Sequence, residues 1–221
     1  MGSDAEQMVA RYVRRRSGLY RLLHAPRLFI HNRRERLLPA AEGVKLFMGG
    51  AGGEVLPGFI NVDVQSFPGV DVVSDVQALP FGCGTIAAIE CDAVLEHVAD
   101  PERAVSEMVR VLRPGGFLHV IVPFCHPFHG YPSDYHRWTV TGLRELFASQ
   151  GCEVIDAGIR TGPTATLLAM MCEYAKLVGG KVGYALAAWI LWPLRYLDVW
   201  LNRKANAYVL GNHLYALVQK K

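Results

Sequence analysis

The 221-residue sequence has no C-x-x-C pair, and its five cysteines (83, 91, 125, 152 and 172) are odd in number. That argues against both a disulfide framework and a structural zinc site, so no metal is expected. No signal peptide is expected either, since the opening residues are polar and the first long stretch is arginine-rich. A cytoplasmic location follows as the expectation, with peripheral membrane contact left open. The sequence also lacks internal repeats and low-complexity tracts. Its main uncharged apolar run, Val182–Leu194 between Lys181 and Arg195, has 13 residues and is interrupted by Pro193. A bilayer span needs about 20, so a buried or interfacial helix fits that segment better than a crossing.

The excess of one sign of charge is small, a net +3, but it is unevenly spread. Residues 11–36 hold nine arginines (11, 14, 15, 16, 21, 27, 33, 34 and 36) against one acid, Glu35. Such an arm is either a solvated helix face or a contact for phosphates of an anionic surface. No aromatic and basic ladder of a nucleic-acid module accompanies it, which makes nucleic acid a minor option.

What the sequence does hold is an alternation of short apolar runs and amphipathic stretches over a hydrophobic fraction of 51%. Its length suits one domain, 1–221, made of a basic helical arm (1–40), a core (41–160) and a helical segment with a last strand (161–221). Strands are expected at 44–48, 59–62, 70–73, 85–91, 117–122, 152–159 and 208–218. Helices are expected at 101–112, where Pro101 suits a first helical position, at 141–149 and within 165–204. This pattern predicts an α/β fold, a doubly wound and mostly parallel sheet. Only about ten residues separate the first two strands, fewer than a parallel crossover normally needs. The first crossover helix is therefore stunted or missing, and the arginine-rich N-terminal helices are the expected cover for the bare sheet.

The most informative stretch is 45–63. A buried strand opens into Gly49-Gly50-Ala51-Gly52-Gly53, and a second strand then ends on Asp63. Glycines let a backbone approach a ligand closely, and a strand-end carboxylate accepts hydrogen bonds from ribose hydroxyls. Further motifs follow in order: Asp75-Val76 before Leu79-Pro80-Phe81, then Cys91-Asp92, Leu95-Glu96-His97 with Asp100-Pro101, and Arg113-Pro114-Gly115-Gly116.

In this ordered set, from about Val44 to Ile159, the chain resembles the class I S-adenosylmethionine-dependent methyltransferases, in the branch with an L-E-H motif. The resemblance implies a Rossmann-like fold with S-adenosyl-L-methionine as cofactor. It implies that Gly49, Gly50, Ala51 and Gly53 wrap the methionine part, although Ala51 stands where the family usually has glycine. Asp63 would hold the ribose and Asp75, with Val76, the adenine; Cys91 and Asp92 would line the methionine side. Each has a plainer reading: strand-end acids cap turns, and Cys91 suits a small packed residue.

Methyl transfer from a sulfonium is an in-line displacement, and positioning supplies much of its rate. A hydroxyl acceptor benefits from a base near neutral pKa, and His97, just past the fourth strand, has the right chemistry. Its other reading is an anchor for the following turn. His126, His129, Tyr131, Tyr135, His136 and Trp138 form a loop after the fifth strand, read as a lid over the acceptor. Arg137 either pairs with Asp134 or meets an anionic acceptor.

The sequence thus points to O-methylation of a small-molecule, sugar or lipid-linked acceptor. A non-catalytic scaffold with the same fold, dimerising through its C-terminal helices, is the alternative. A nicotinamide oxidoreductase is disfavoured, since the glycine loop leads into a short crossover without a helix to receive a pyrophosphate. The C-terminal helices either complete the core or meet an apolar, membrane-dissolved acceptor.

Overall fold

The computed structural model describes residues 34–50, 56–130 and 133–221. The arginine-rich stretch up to residue 33, Ala51, Gly52, Gly53 and Tyr131 lie outside the described residues. Contacts divide the chain into two compact units. The larger holds His31–Pro123, Gly130–Gly158 and Leu214–Lys221; among described residues, the other holds Phe124–His129 and Ile159–His213.

The larger unit is built on a sheet of order β3-β2-β1-β4-β5-β7-β6. Its strands are β1 (Val44–Met48), β2 (Ile60–Asp63), β3 (Val72–Val73), β4 (Ile86–Asp92), β5 (Leu112–Pro123), β6 (Cys152–Thr161) and β7 (His213–Lys220). The neighbours β1–β2, β2–β3, β1–β4 and β4–β5 are all parallel. Helices α1 (Arg34–Ala40), α2 (Pro101–Val111) and α3 (Val140–Ser149) flank it. The expected Rossmann-like α/β architecture is present.

Local chemistry explains the boundaries. Asp100 caps α2 by accepting from the Arg103 N–H at 2.9 Å, with Pro101 at the first helical position. Ala104, Val105, Met108 and Val111 are the buried stripe of α2. Thr139 caps α3 through the Gly142 N–H at 3.0 Å. β4 is buried from Ile86 to Cys91, as befits a central parallel strand.

Eleven residues separate β1 from β2, and those described form no helix. The sheet here is covered by α1. Leu38, fully buried, packs with Phe47, Phe59, Ala88 and Leu217. The expectation that the arm covers the sheet therefore holds for its last two turns.

Two elements differ from expectation. Arg113-Pro114-Gly115-Gly116 follows the end of α2 as expected, but it lies inside β5 rather than ahead of it. Ile86 pairs with Leu112 and Ala88 with Phe117, so the four residues bulge out of the ladder. The last strand begins at His213 rather than Tyr208, because Ala207–Leu210 closes into a 3-10 turn. Deeper in the sheet, Glu90 and His119 pair across β4 and β5. The His119 Nδ1 lies 3.1 Å from both Glu90 oxygens, and both side chains are buried.

The smaller unit contains α4 (Pro163–Leu191), a 3-10 stretch (Trp192–Leu197), α5 (Asp198–Leu201) and the turn Ala207–Leu210. Buried Asp198 accepts from the Thr164 and Ala165 N–H groups at 2.8 and 3.0 Å, capping α4 from a distance in sequence. α4 buries Pro163, Thr164, Thr166 and Cys172. The most apolar window of Pro163–Leu201 has no buried share.

Leu38→Ala should destabilise the chain by about 3 kcal/mol, since it removes the side chain α1 inserts into its sheet contact. Urea unfolding followed by circular dichroism checks this; a change below about 1 kcal/mol would show that α1 is not a structural cover.

Candidate functional site at the carboxyl edge of the sheet

Parallel pairing carries one row of residues to one edge. Met48 is level with Val62 on β2 and with Cys91 on β4, which brings Gly49, Asp63 and Asp92 side by side where the strands end. Asp63 is level with Val73, two residues before Asp75. Doubly wound sheets bind their ligands at this edge.

Gly49 is demanded by the backbone. Its φ is +87°, and a Cβ there would stand 2.3 Å from the Asp92 carbonyl oxygen and 2.6 Å from Val94 Cγ2. The turn leaving β1 therefore presses against the turn leaving β4, and only a hydrogen side chain fits. Ala93, next along, holds a φ of +54°, uncommon for a residue with a Cβ. It is fixed by its N–H donating to the Ile121 carbonyl at 3.0 Å.

The two acids sit in well-defined turns. Half-buried Asp63 accepts from the Gln65 N–H at 3.0 Å. Asp75 is exposed and accepts from the Gln77 N–H at 2.8 Å and from the Gln77 side-chain amide at 3.3 and 3.2 Å. Val76 beside it is buried. Gly50 follows Gly49 at the strand end, partly exposed. Cys91 takes a different place: its side chain is fully buried, so it offers no thiol to a ligand. Burial first, then Glu96, Asp92 and Glu90, pushes that thiol well above its usual pKa. The packed-residue reading of Cys91 therefore replaces the ligand-lining one for its side chain.

After β4 the chain forms a 3-10 turn, Leu95–His97. The His97 Nδ1 faces the Ser133 carbonyl oxygen at hydrogen-bonding distance. A carbonyl only accepts, so Nδ1 carries the proton and the neutral ring keeps its basic lone pair on Nε2. That nitrogen is 3.8 Å from the buried Glu96 carboxylate, and the His97 side chain keeps 17% of its surface exposed. Tyr135 donates its N–H to the Glu96 carbonyl at 2.7 Å, and Trp138 donates to that of Pro123 at 3.1 Å. The 133–138 loop is thereby stapled to the L-E-H turn.

Within that loop His136 packs between Tyr135 and Trp138, with ring centroids 6.1 and 5.7 Å away. The His136 Nε2 and the Trp138 Nε1 are buried and have no hydrogen-bond partner among the described residues. Arg137 is committed to Asp134: its Nη2 donates to Oδ2 at 2.6 Å and its Nη1 pairs with Oδ1. That pairing holds the guanidinium above its usual pKa. His126 and His129 belong to the other unit, where His126 stacks edge-on with His129 at 4.6 Å and His213 at 4.8 Å.

Two important residues carried no role in the sequence reading. Glu107 and Arg110 on α2 bind the Leu79-Pro80-Phe81 loop from beneath. Arg110 donates to the Leu79 and Phe81 carbonyls at 3.0 and 2.9 Å, while Glu107 accepts the Leu79 N–H at 3.0 Å. They also bond each other at 2.7 and 2.9 Å. The available signal was their i,i+3 spacing, which any solvated helix face shares. Arg110 hydrogen bonding lowers the Glu107 pKa, and Glu107 raises that of Arg110.

This architecture is a Rossmann-like methyltransferase fold. Residues 52–120 match the family model described as a methyltransferase domain. Among curated proteins, the chain is 36% identical over 74 residues to a demethylmenaquinone methyltransferase of Renibacterium salmoninarum, covering 33% of this chain and 31% of that one. It is 32% identical over 124 residues to a ubiquinone/menaquinone biosynthesis C-methyltransferase of an Enterobacter species, covering 50% and 49%. The chain thus spans half or less of the length of these curated relatives. A structure of an S-adenosylmethionine-dependent methyltransferase from Thermotoga maritima superposes with a TM-score of 0.58 at 16% identity, covering all of both chains. A [4+2]-cyclase, SpnF, superposes at 0.54 with 19% identity, covering 85% of this chain and 78% of the cyclase. At such identities the structures establish the fold alone.

Gly49→Ala should cost about 3 kcal/mol, combining left-handed strain with overpacking, and should lower the thermal midpoint. A midpoint equal to that of the unmodified chain would show that the β1 and β4 turns do not touch. Glu107→Gln should weaken the chain at neutral pH only. A carboxylate with a lowered folded pKa stabilises above its unfolded value, near 4.3, and that contribution is lost as pH falls through the lowered one. Unfolding curves of the two proteins should therefore converge on acidification; a constant offset would contradict the linkage.

Proposed function

We propose that this chain methylates a hydroxyl-bearing small-molecule or lipid-linked acceptor at oxygen, with S-adenosylmethionine as donor. The observation that carries the reading is the row Gly49, Asp63 and Asp92 at one sheet edge, where Gly49 lets the turn after β1 close against the turn after β4. Gly49 and Gly50, together with Ala51 and Gly53 by resemblance, suit the methionine part; Asp63 suits the ribose hydroxyls, and Asp75 and Val76 the adenine. When bound, the cofactor supplies a methyl group already activated on a sulfonium.

The chain's own residues do the rest. The Glu107–Arg110 pair holds the 79–81 loop, fixing the wall beside Asp75. His97, its Nδ1–H given to Ser133, offers Nε2 as the base for the acceptor hydroxyl. The proton moves to Nε2 as the oxygen attacks, and the adjacent Glu96 carboxylate stabilises the imidazolium that results. Tyr135, His136 and Trp138 line the acceptor side, with His136 Nε2 and Trp138 Nε1 as its polar anchors. His126 and His129 remain acceptor contacts by expectation only.

A second reading, transfer to carbon, is favoured by the C-methyltransferase named above. The same base serves it, since ionising a phenol raises electron density on the neighbouring ring carbons.

Isothermal titration should show S-adenosylmethionine and S-adenosylhomocysteine binding, with Asp63→Ala weakening both about tenfold or more, the loss expected for charged hydrogen bonds. Absence of heat with the unmodified chain would favour the scaffold alternative. His97→Ala should lower kcat about 100-fold or more while leaving cofactor affinity intact. Equal loss of both, or of neither, would make His97 an anchor.

A further inference from the structure

The smaller unit displays apolar surface that its own fold does not use. Leu177 is 86% exposed, Val178 77%, Val182 69% and Ile190 72%. Trp189, Trp200, Tyr174 and Tyr196 are also more exposed than buried, or half so. Large apolar side chains exposed in such number on one short segment mark an interaction site.

The shape of α4 narrows the choice of occupant. Pro163–Leu201, taken as one helical stretch, is long and apolar enough to cross a membrane. It is not one rod, however. Gly179 (φ −124°, ψ 17°) and Gly180 (φ +59°, ψ −148°) leave the helix. A Cβ on Gly183 would stand 2.4 Å from the Ala175 carbonyl oxygen. Residues eight apart along a straight helix are separated by about 12 Å, so the chain doubles back here and the limbs touch at small residues. The limbs 163–178 and 181–191 measure about 24 and 16 Å, short of the roughly 30 Å hydrocarbon core. A hairpin of this kind lies in an interface rather than crossing it.

Charge and aromatics point the same way. Across residues 163–212 the surface cations are Lys176, Lys181, Arg203 and Lys204. The acids are Glu173, which pairs with Lys176 at 2.8 Å, and Asp198, which is buried. Lys204 sits over the Trp200 ring, 4.2 Å from its centroid, a pairing suited to the head-group level. The nine arginines of 11–36 add to the same charge in sequence. A protein partner would need matching acids; an anionic bilayer supplies them along with the apolar phase.

We propose that the 163–201 hairpin is a monotopic membrane anchor that buries its apolar face at the surface of an anionic bilayer. The proposal does not rest on methyl transfer, and cofactor titration without lipid reads that separately.

The full chain should co-sediment with vesicles of phosphatidylcholine and phosphatidylglycerol. Binding to phosphatidylcholine alone should be weaker, and added salt should release part of the bound protein. Acyl-chain bromination should quench its tryptophan emission. Leu177→Glu with Val178→Glu, at exposed positions, should reduce partitioning about 100-fold while the thermal midpoint and cofactor binding stay unchanged. Lys181→Glu with Lys204→Glu should reduce binding only to the anionic vesicles. Lack of quenching in the unmodified chain, or equal partitioning of Leu177→Glu/Val178→Glu, would overturn the proposal. So would a soluble dimer that ignores vesicles and dissociates in that double variant, which would assign the face to a second copy.

Discussion

The ligand edge depends on one steric constraint: the turn after β1 and the turn after β4 meet with no space for a side chain between them. Level pairing of Met48 with Val62 and Cys91 puts three strand ends in one row. The left-handed φ of Gly49 then turns the chain against Asp92, and Ala93 accepts an unusual φ to continue past it. The level placement of Gly49, Asp63 and Asp92 follows from that row. A shift of β1 by one residue against β4 would reverse which side chains face the core and carry Asp63 and Asp92 apart.

Much of this was legible in the residues, for identifiable reasons. β1 was bounded at Val44 and Met48 because an apolar run ending in glycines has few other readings. The shortened first crossover followed from chain length alone. The fold and the methyltransferase domain rested on motif order, which survives low identity. What stayed hidden depended on partners distant in sequence. Glu107 and Arg110 look like a solvated ion pair until the 79–81 carbonyls appear above them. The role of Ser133 exists only because a loop 36 residues later returns to His97. Arg113-Pro114-Gly115-Gly116 does follow the end of α2, but the start of β5 at Leu112 was hidden because Pro-Gly-Gly usually separates elements, whereas here the ladder resumes after it. The C-terminal helices kept two readings because apolar composition does not say whether a helix is covered.

The fold does not settle the chemistry. A cyclase and several methyltransferases share this architecture at under 20% identity. What separates such proteins is the set of groups placed beyond the strand ends. In this chain the L-E-H turn and the 133–138 loop stapled to it lie beyond β4, with the His97 Nδ1 held by the Ser133 carbonyl. Two buried ring nitrogens wait on the same loop.

The buried Glu90–His119 pair divides β4 and β5 into two zones. Toward the carboxyl end each residue has a unique opposite number, since sliding the strands would strand a carboxylate in the sheet interior. Toward the other end the bulge absorbs four residues without disturbing that match. The bulge thus sits at the opposite end of the ladder from the ligand edge, and the matched register from Ala88 to Asp92 is what holds the rim.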